Sequence, residues 1–116
     1  MDPTRKPEIG VDTFAALDLR VGRIIEVDGF PAARKPAWRL TVDFGPTLGT
    51  LRTSAQVTNY RPESLIGRRV VGAVNLGTKR IAGFPSEFLV LGAVQPDGSV
   101  RLLEVADDVA PGTVVA

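Results

Sequence analysis

Two adjacent cations, Lys79 and Arg80, stand just before a Gly-Phe-Pro bend in the stretch TKRIAGFPSEFLVLG, residues 78–92. The second half of that stretch is apolar, as in a buried strand. A Lys-Arg pair on a loop is most often a solvated turn, whereas cations held on a fixed bend suit phosphate groups. The two alternatives are therefore a plain hairpin loop and a cationic rim that faces a polyanion.

The uneven distribution of charge along the chain bears on that choice. The 116 residues carry a formal net charge of only +1. Residues 34–80, however, hold nine cations and two acids, a net charge of +7, while residues 1–33 carry −2 and residues 81–116 carry −4. If the fold gathers the cations of the middle segment together, they form a positive surface for a polyanion.

Two absences restrict the chemistry of the chain, because it contains neither cysteine nor histidine. Ser-His and Cys-His nucleophilic pairs, imidazole general bases, disulfides and almost every zinc site are thereby excluded. The carboxylates are scattered, so we predict a binding protein with no catalytic residue, no metal and no cofactor. The first ten residues lack the apolar core of a signal peptide, and no apolar run is long enough to span a bilayer. We therefore expect a cytoplasmic protein without membrane insertion.

Alternation of apolar and polar residues predicts strands at 19–27, 38–44, 50–57, 69–75, 87–93 and 100–105. The first strand is predicted to turn Leu19, Val21, Ile25 and Val27 inward, and the second Trp38, Leu40, Val42 and Phe44. A short helix is expected after Pro62, and about one helical turn near the N-terminus, capped by Asp12 or Thr13. GPTLG at 45–49 is predicted to be a turn.

Five strands with a short helix after the third match the order of an OB-fold. We predict an all-β protein with minor α content: a five-stranded Greek-key barrel with terminal extensions, residues 1–13 being an N-terminal extension and 14–116 the domain. The second and third strands would expose Arg39, Thr41 and Asp43 beside Arg52, Ser54 and Gln56. A plain antiparallel strand is also polar on its wet side, but arginines, hydroxyls and an amide suit phosphate and sugar contacts.

Residues 88–91 are apolar on both faces of the predicted strand, so part of its outer surface requires a cover. A second chain would cover it in a symmetric dimer, which we favour, because large exposed apolar patches usually mark an interface. The sixth strand and the acidic C-terminal segment are the alternative cover.

Several segments resemble the tRNA-binding OB domain, which occurs at the C-terminus of methionyl-tRNA synthetases, in phenylalanyl-tRNA synthetase beta chains and in synthetase-associated cofactors. These segments are LDLRVGRI (17–24), SAQVTNY (54–60), AVNLGTKRIAGFPSEFLVLGA (73–93) and PGTVV (111–115). The FPAARKPAW stretch (30–38) and the length of the chain most resemble the bacterial CsaA-type proteins, which are export-related chaperones. The resemblance covers about Phe14 to the end.

That resemblance implies a homodimer that binds without catalysis and takes two ligands, unfolded or pre-export polypeptide and tRNA. A CsaA-like chaperone is the expected function, and a trans-acting tRNA-binding protein is the alternative. The candidate RNA-binding residues are Arg34, Lys35, Arg39, Arg52, Ser54, Gln56, Asn75, Lys79, Arg80 and Ser86, and the candidate peptide-binding residues are Phe30, Pro31 and Phe84.

The motif DLRVG supplies residues that we interpret as structural: Asp18 anchors Arg20, and Gly22 permits a bulge or bend. Single-strand-binding OB-folds usually carry aromatic stacking platforms, and here Tyr60 is the best exposed candidate, with Trp38 assigned to the core. RNA would therefore be recognised through shape, phosphate and 2′-hydroxyl contacts at a folded elbow, which suits tRNA.

Overall fold

In a computed structural model, which describes residues 4–116, short antiparallel strands dominate the chain. In chain order the elements are α1 (Val11–Ala15), β1 (Leu19–Gly29), β2 (Trp38–Asp43), α2 (Gly45–Leu48), β3 (Thr50–Ala55), α3 (Pro62–Leu65), β4 (Arg69–Ala73), β5 (Lys79–Ile81), β6 (Phe84–Ser86), β7 (Leu89–Val90), β8 (Gly92–Val94), β9 (Val100–Leu102) and β10 (Val114–Val115). The predicted helix between the third and fourth strands is confirmed as α3.

The main sheet has the order β3-β2-β1-β4-β7, and β10 adds to β1. Its two edges approach each other where β3 meets the segment before β7. There the Glu87 amide donates to the Arg52 carbonyl at 2.8 Å, the Arg52 amide donates to Glu87 Oε1 at 2.9 Å, and Thr53 Oγ1 donates to the Phe88 carbonyl at 2.8 Å. These bonds nearly close the sheet, so the predicted all-β, OB-like barrel is confirmed.

The barrel core is set by the inward residues of β2 and its continuation, as the alternation predicts. Leu40, Val42 and Phe44 have no exposed surface. Trp38 is only partly buried, packs against the edge of this core and donates from its indole nitrogen to the Tyr60 carbonyl at 3.1 Å. Trp38 is therefore part of the barrel wall, with its polar atom satisfied by the backbone.

The inward face of β1 differs from the prediction, because the pairing with β2 shifts register between Ile24 and Glu26. Ile24 is fully buried and Ile25 is 40% exposed, so the prediction that Ile25 points inward is wrong. The prediction is also wrong for Leu19 and Val21, which lie on the outer face with Val71, whereas Val27 packs against the barrel core as predicted. A bulge adds one unpaired residue and reverses the faces beyond it. Gly22 lies before the bulge and serves close packing instead, since a Cβ there would lie 2.5 Å from Val42 Cγ1.

Other elements also depart from the prediction. The fifth predicted strand is split into β7 and β8, the predicted loop at 79–86 is the hairpin β5–β6, and the predicted turn at 45–49 contains α2. Helix α1 has Gly10 at its N-cap position and no side-chain cap, because Asp12 and Thr13 lie inside the helix, where the Thr13 hydroxyl donates to the Ile9 carbonyl. The proposed caps Asp12 and Thr13 are therefore wrong.

The C-terminal segment covers part of the outer face of β4. Val105 and Val115 pack, with Leu91, against a cluster formed by Leu19, Val71 and Ala73. Leu89 nevertheless remains 54% exposed, and Val94 and Leu103 are exposed too. The chain thus provides some of the predicted cover itself and leaves an apolar surface open. Within residues 4–116, no helix is both long enough and apolar enough to cross a membrane.

Candidate nucleic-acid interface

A groove of about 600 Å³ lies between the β1–β2 connection and the β5–β6 hairpin, with β3 beside both. Its polar lining comes from three parts of the chain, which we call together the cationic groove: Arg34, Lys35, Ser54, Gln56, Lys79 and Arg80. Alanines and Ile81 supply the apolar part of the lining. Six of the ten residues predicted to bind RNA are thus brought together by the fold.

Lys79 and Arg80 lie on a hairpin that is held by backbone pairing. Lys79 pairs with Ser86, and Ile81 with Phe84, across a two-residue turn at Ala82 and Gly83. Both turn residues have positive φ, 48° and 81°, as tight hairpin turns require. Lys79 and Arg80 therefore sit, with exposed side chains, on one strand of a regular hairpin, as both the plain hairpin loop and the cationic rim require.

Contacts with β3 and within the turn hold the hairpin in place. The Ser86 hydroxyl lies 2.9 Å from the Thr53 hydroxyl, and it accepts a longer bond, 3.4 Å, from the Ser54 amide. Arg80 Nη1 donates to the Gly83 carbonyl at 3.0 Å. Ser86, predicted to contact RNA, is half-buried and joins the hairpin to the barrel.

Arg39 and Arg52 occupy outward positions on β2 and β3, as predicted, with Arg39 opposite Ser54. Their guanidinium carbons lie 5.8 Å and 4.6 Å from the centroid of the Phe84 ring. Arg39 also lies 5.5 Å from the Phe30 ring and donates from Nε to the Gly29 carbonyl at 2.9 Å. Both arginines are thereby held over aromatic rings beside the cationic groove.

The three candidate peptide-binding residues do not form one exposed surface. Phe30 and Phe84 are 8% and 7% exposed and pack edge to face, with ring centroids 5.4 Å apart. Pro31 alone is exposed. The structure therefore places the two rings in a small core beneath the arginines.

Asn75 lies away from the groove and serves the backbone. Its Oδ1 accepts from the Asp18 amide and its Nδ2 donates to the Ala16 carbonyl, both at 2.8 Å. Asp18 in turn pairs with Arg20 at 2.7 Å, which confirms the predicted anchor. The side chain of Asn75 therefore fixes the segment that leads into β1.

Tyr60 is not a free stacking platform. Its hydroxyl accepts from the Leu102 amide at 3.0 Å, and the guanidinium carbons of Arg68 and Arg101 lie 5.0 Å and 5.7 Å from its ring centroid. Since this ring is already engaged and no aromatic residue lines the cationic groove, the groove offers contacts for phosphate and sugar rather than for base faces.

The cations of the groove have no acidic partner. Over the described range, 4–116, the ion pairs are Arg20–Asp18, Arg61–Glu63 and Arg68–Glu104, none of which involves a groove residue. The same range holds no cluster of acids that could bind a metal ion. An uncompensated cationic surface with hydroxyl and amide groups attracts polyanions.

A second, smaller groove of about 280 Å³ adjoins the first, because Ser54 and Gln56 line both. The rest of its lining is apolar and consists of Ala55, Val57, Leu89, Val90 and Val100. We call it the apolar groove. Sequence reasoning missed it, as well as the contribution of Ile81 and Ala82 to the cationic groove. The Ala-Gly step between Ile81 and Phe84 was the available signal for a hairpin.

Comparison with known proteins was made by sequence and by structure. The family model described as "Putative tRNA binding domain" matches residues 19–114. A methionine–tRNA ligase of Porphyromonas gingivalis is 36% identical over 108 residues, which are 93% of this chain and 16% of that protein. One of Thermotoga maritima is 32% identical over 108 residues, 93% and 17%. The chain therefore spans only about a sixth of the length of these curated relatives.

Two solved structures share the fold over their full length. The CsaA chaperone protein of Picrophilus torridus is 44% identical, with a TM-score of 0.89 over 94% of this chain and 100% of that one. The chaperone CsaA of Bacillus anthracis is 44% identical, with a TM-score of 0.89 over 95% and 100%. With the family model matching most of its length, the chain belongs to the tRNA-binding-domain family and is related to CsaA and to methionine–tRNA ligases.

Proposed function

We propose that this chain is a non-catalytic protein that binds tRNA through the cationic groove. The observation that carries the proposal is the convergence of Arg34, Lys35, Lys79 and Arg80 on one groove, where no acid among residues 4–116 pairs with them. Membership of the tRNA-binding-domain family supports the same ligand. The chain contains no histidine or cysteine to support nucleophilic or imidazole chemistry.

The groove binds the sugar-phosphate backbone of a folded RNA. Guanidinium and ammonium groups neutralise phosphates, while Ser54 and Gln56 offer hydrogen bonds to phosphate oxygens and 2′-hydroxyls. With no aromatic side chain in its lining, the groove cannot stack splayed bases, so it selects for shape rather than for base sequence. A rigid tRNA surface therefore binds better than unstructured RNA.

A second candidate function is that of a CsaA-like chaperone for unfolded or pre-export polypeptide. The apolar groove favours it, since an extended chain could lay apolar side chains against Leu89, Val90 and Val100. Two solved structures at 44% identity are titled CsaA chaperones. Since Phe30 and Phe84 are buried, we now assign polypeptide contact to the apolar groove rather than to those rings.

We further propose that the protein is a cytoplasmic homodimer, in which residues 14–116 form the binding domain and a second chain covers the exposed apolar surface around Leu89. Light scattering at micromolar concentration should give about twice the 12.4 kDa chain mass. A concentration-independent monomer would contradict the dimer and leave the surface around Leu89 uncovered.

Salt dependence separates the two ligands. Fluorescence anisotropy should be measured for a tRNA transcript and for a permanently unfolded polypeptide, each over about 50–200 mM salt. Binding of tRNA should weaken steeply, because counterion release loses its driving force. Apolar capture of polypeptide should barely change. Salt-insensitive tRNA binding, or none, would contradict the proposed function, and polypeptide binding alone would favour the chaperone.

A further inference from the structure

Arg52 is half-buried, and among the described residues its guanidinium has no anionic partner. In the part of the chain that the structure describes, it forms neither an ion pair nor a hydrogen bond. The nearby carboxylate of Glu87 forms no ion pair with this guanidinium, and its Oε1 accepts from the Arg52 backbone amide. All five N–H donors of this guanidinium are therefore free for a ligand.

What holds the Arg52 guanidinium is the Phe84 ring, 4.6 Å from its central carbon. The same ring lies 5.8 Å from the guanidinium carbon of Arg39, which also sits 5.5 Å from Phe30. Among the described residues, Arg39 donates a hydrogen bond to a protein acceptor from Nε alone, and the acceptor is the Gly29 carbonyl. One buried pair of rings thus supports two guanidinium groups while leaving most of their donors unused.

The two arginines also share a position beside the cationic groove. Arg39 lies directly across from Ser54, and Arg52 lies across from Thr41, one diagonal step away on the same face of the β2–β3 ladder. Diagonal neighbours on one face are within reach of long side chains. The hairpin that supplies Phe84 also supplies Lys79 and Arg80, so this ring and two of the groove cations belong to one hairpin.

We infer that Phe84, assisted by Phe30, is a positioning residue for RNA phosphate: it stacks against Arg52 and Arg39 and presents their free donors beside the cationic groove. This inference rests on the proposed function. Long side chains lose rotamer freedom on binding, and stacking on a ring removes that loss in advance. In this arrangement Phe84 lies beneath the two guanidinium groups and orients them, and it does not itself contact RNA or polypeptide.

The test uses the full chain and a tRNA transcript. Phe84→Leu keeps every charge, so affinity should fall about two- to ten-fold at each salt concentration while the salt slope stays unchanged. Phe88→Leu is the matched control, because Phe88 is also buried and packs edge to face on Phe44, with no guanidinium recorded over either ring among the described residues. It should bind as the wild type does. An equal loss for both variants would overturn the inference.

A double-mutant cycle that conserves charge, with Arg52→Lys and Phe84→Leu, tests whether Phe84 acts through Arg52. Arg52→Lys should weaken binding in the wild type, because an ammonium lacks the planar fork. In the Phe84→Leu background the same change should add little. Additive losses would overturn the inference.

Nitrogen-detected spectra of the Arg52 side chain, recorded without RNA, keep the two claims separate. In the wild type and in Phe88→Leu, the Nε–H signal should be shifted by the ring current. A random-coil signal in the wild type would overturn the positioning role, whereas ring-shifted arginine in a protein that binds no tRNA would overturn the proposed function.

Discussion

Replacing Lys79 and Arg80 together by alanine removes two positive charges from one side of the cationic groove and leaves the residues of the barrel unchanged. Both side chains are exposed, and their recorded polar contact is the bond from Arg80 Nη1 to the Gly83 carbonyl of the same turn. The free energy of unfolding should therefore change by no more than about 0.5 kcal/mol, as is usual for surface substitutions. The hairpin itself is retained through its backbone pairing and Phe84.

The expected loss of tRNA affinity follows from counterion release. Each phosphate contact contributes about 0.7–0.9 to the slope of log affinity against log salt. If each cation holds one phosphate, the slope should fall by about 1.4–1.8 in the double variant. At about 0.1 M salt this corresponds to roughly five- to eight-fold weaker binding for each cation, or about 25- to 60-fold for the pair.

Fluorescence anisotropy with a labelled tRNA transcript over a salt series measures both quantities, and urea melts measure stability. Arg5→Ala with Lys6→Ala is the matched control, because it removes an adjacent Arg-Lys pair that is also exposed but does not line the groove. The control should keep most of the slope. If the two double variants lose slope equally, binding depends on net charge alone and the groove assignment is refuted.

Three further predictions concern the scaffold. Trp38→Ala should destabilise the protein by about 3 kcal/mol in urea melts, which is the low end for a large aromatic residue because Trp38 is only partly buried. Unaltered stability would place the Trp38 side chain outside the core. Gly22→Ala should cost about 1–3 kcal/mol, since the added Cβ would lie 2.5 Å from a buried methyl group, and a neutral effect would contradict that close packing. The Ser99 hydroxyl, and then its amide, hold the pKa of Asp97 below its ordinary value of 3.8, so the stability from this carboxylate is present above that pH and is lost as the pH falls through the folded-state pKa. The unfolding free energy of Ser99→Ala should therefore differ from that of the wild type near neutral pH and converge with it in acid. A difference in unfolding free energy that does not depend on pH would contradict this role.

The barrel could be predicted from the sequence because its strands carry clear alternation. Leu40, Val42 and Phe44 follow the period of two and are all fully buried. A bulge or bend in β1 was predicted at Gly22, but the bulge lies between Ile24 and Glu26, since an extra residue leaves no signal in an apolar stretch such as Ile24-Ile25. Because of the bulge, the predicted inward face holds beyond it, at Val27, and is reversed before it, at Leu19.

The positive charge of the candidate site could be predicted from the sequence, but the side-chain contacts that hold the site in place could not. Clustering of cations between residues 34 and 80 is visible in the chain, and the fold brings four of them into one groove. Asn75 was assigned to RNA, whereas its partners lie 57 and 59 residues away in sequence. Phe30 and Phe84 likewise meet only in the folded chain. Contacts of this kind depend on tertiary packing, which a single sequence does not display.

The most direct test of the account is to map the surface that tRNA touches. Backbone amide spectra of the labelled protein, recorded during titration with a tRNA transcript, should shift first for the residues that line the cationic groove, namely 33–35, 37, 54, 56 and 79–82. The cations around Tyr60, namely Arg68 and Arg101, provide an internal reference surface on the same molecule. Shifts confined to that reference surface, or to Leu89 and Val90 of the apolar groove, would contradict the claim that the cationic groove binds tRNA.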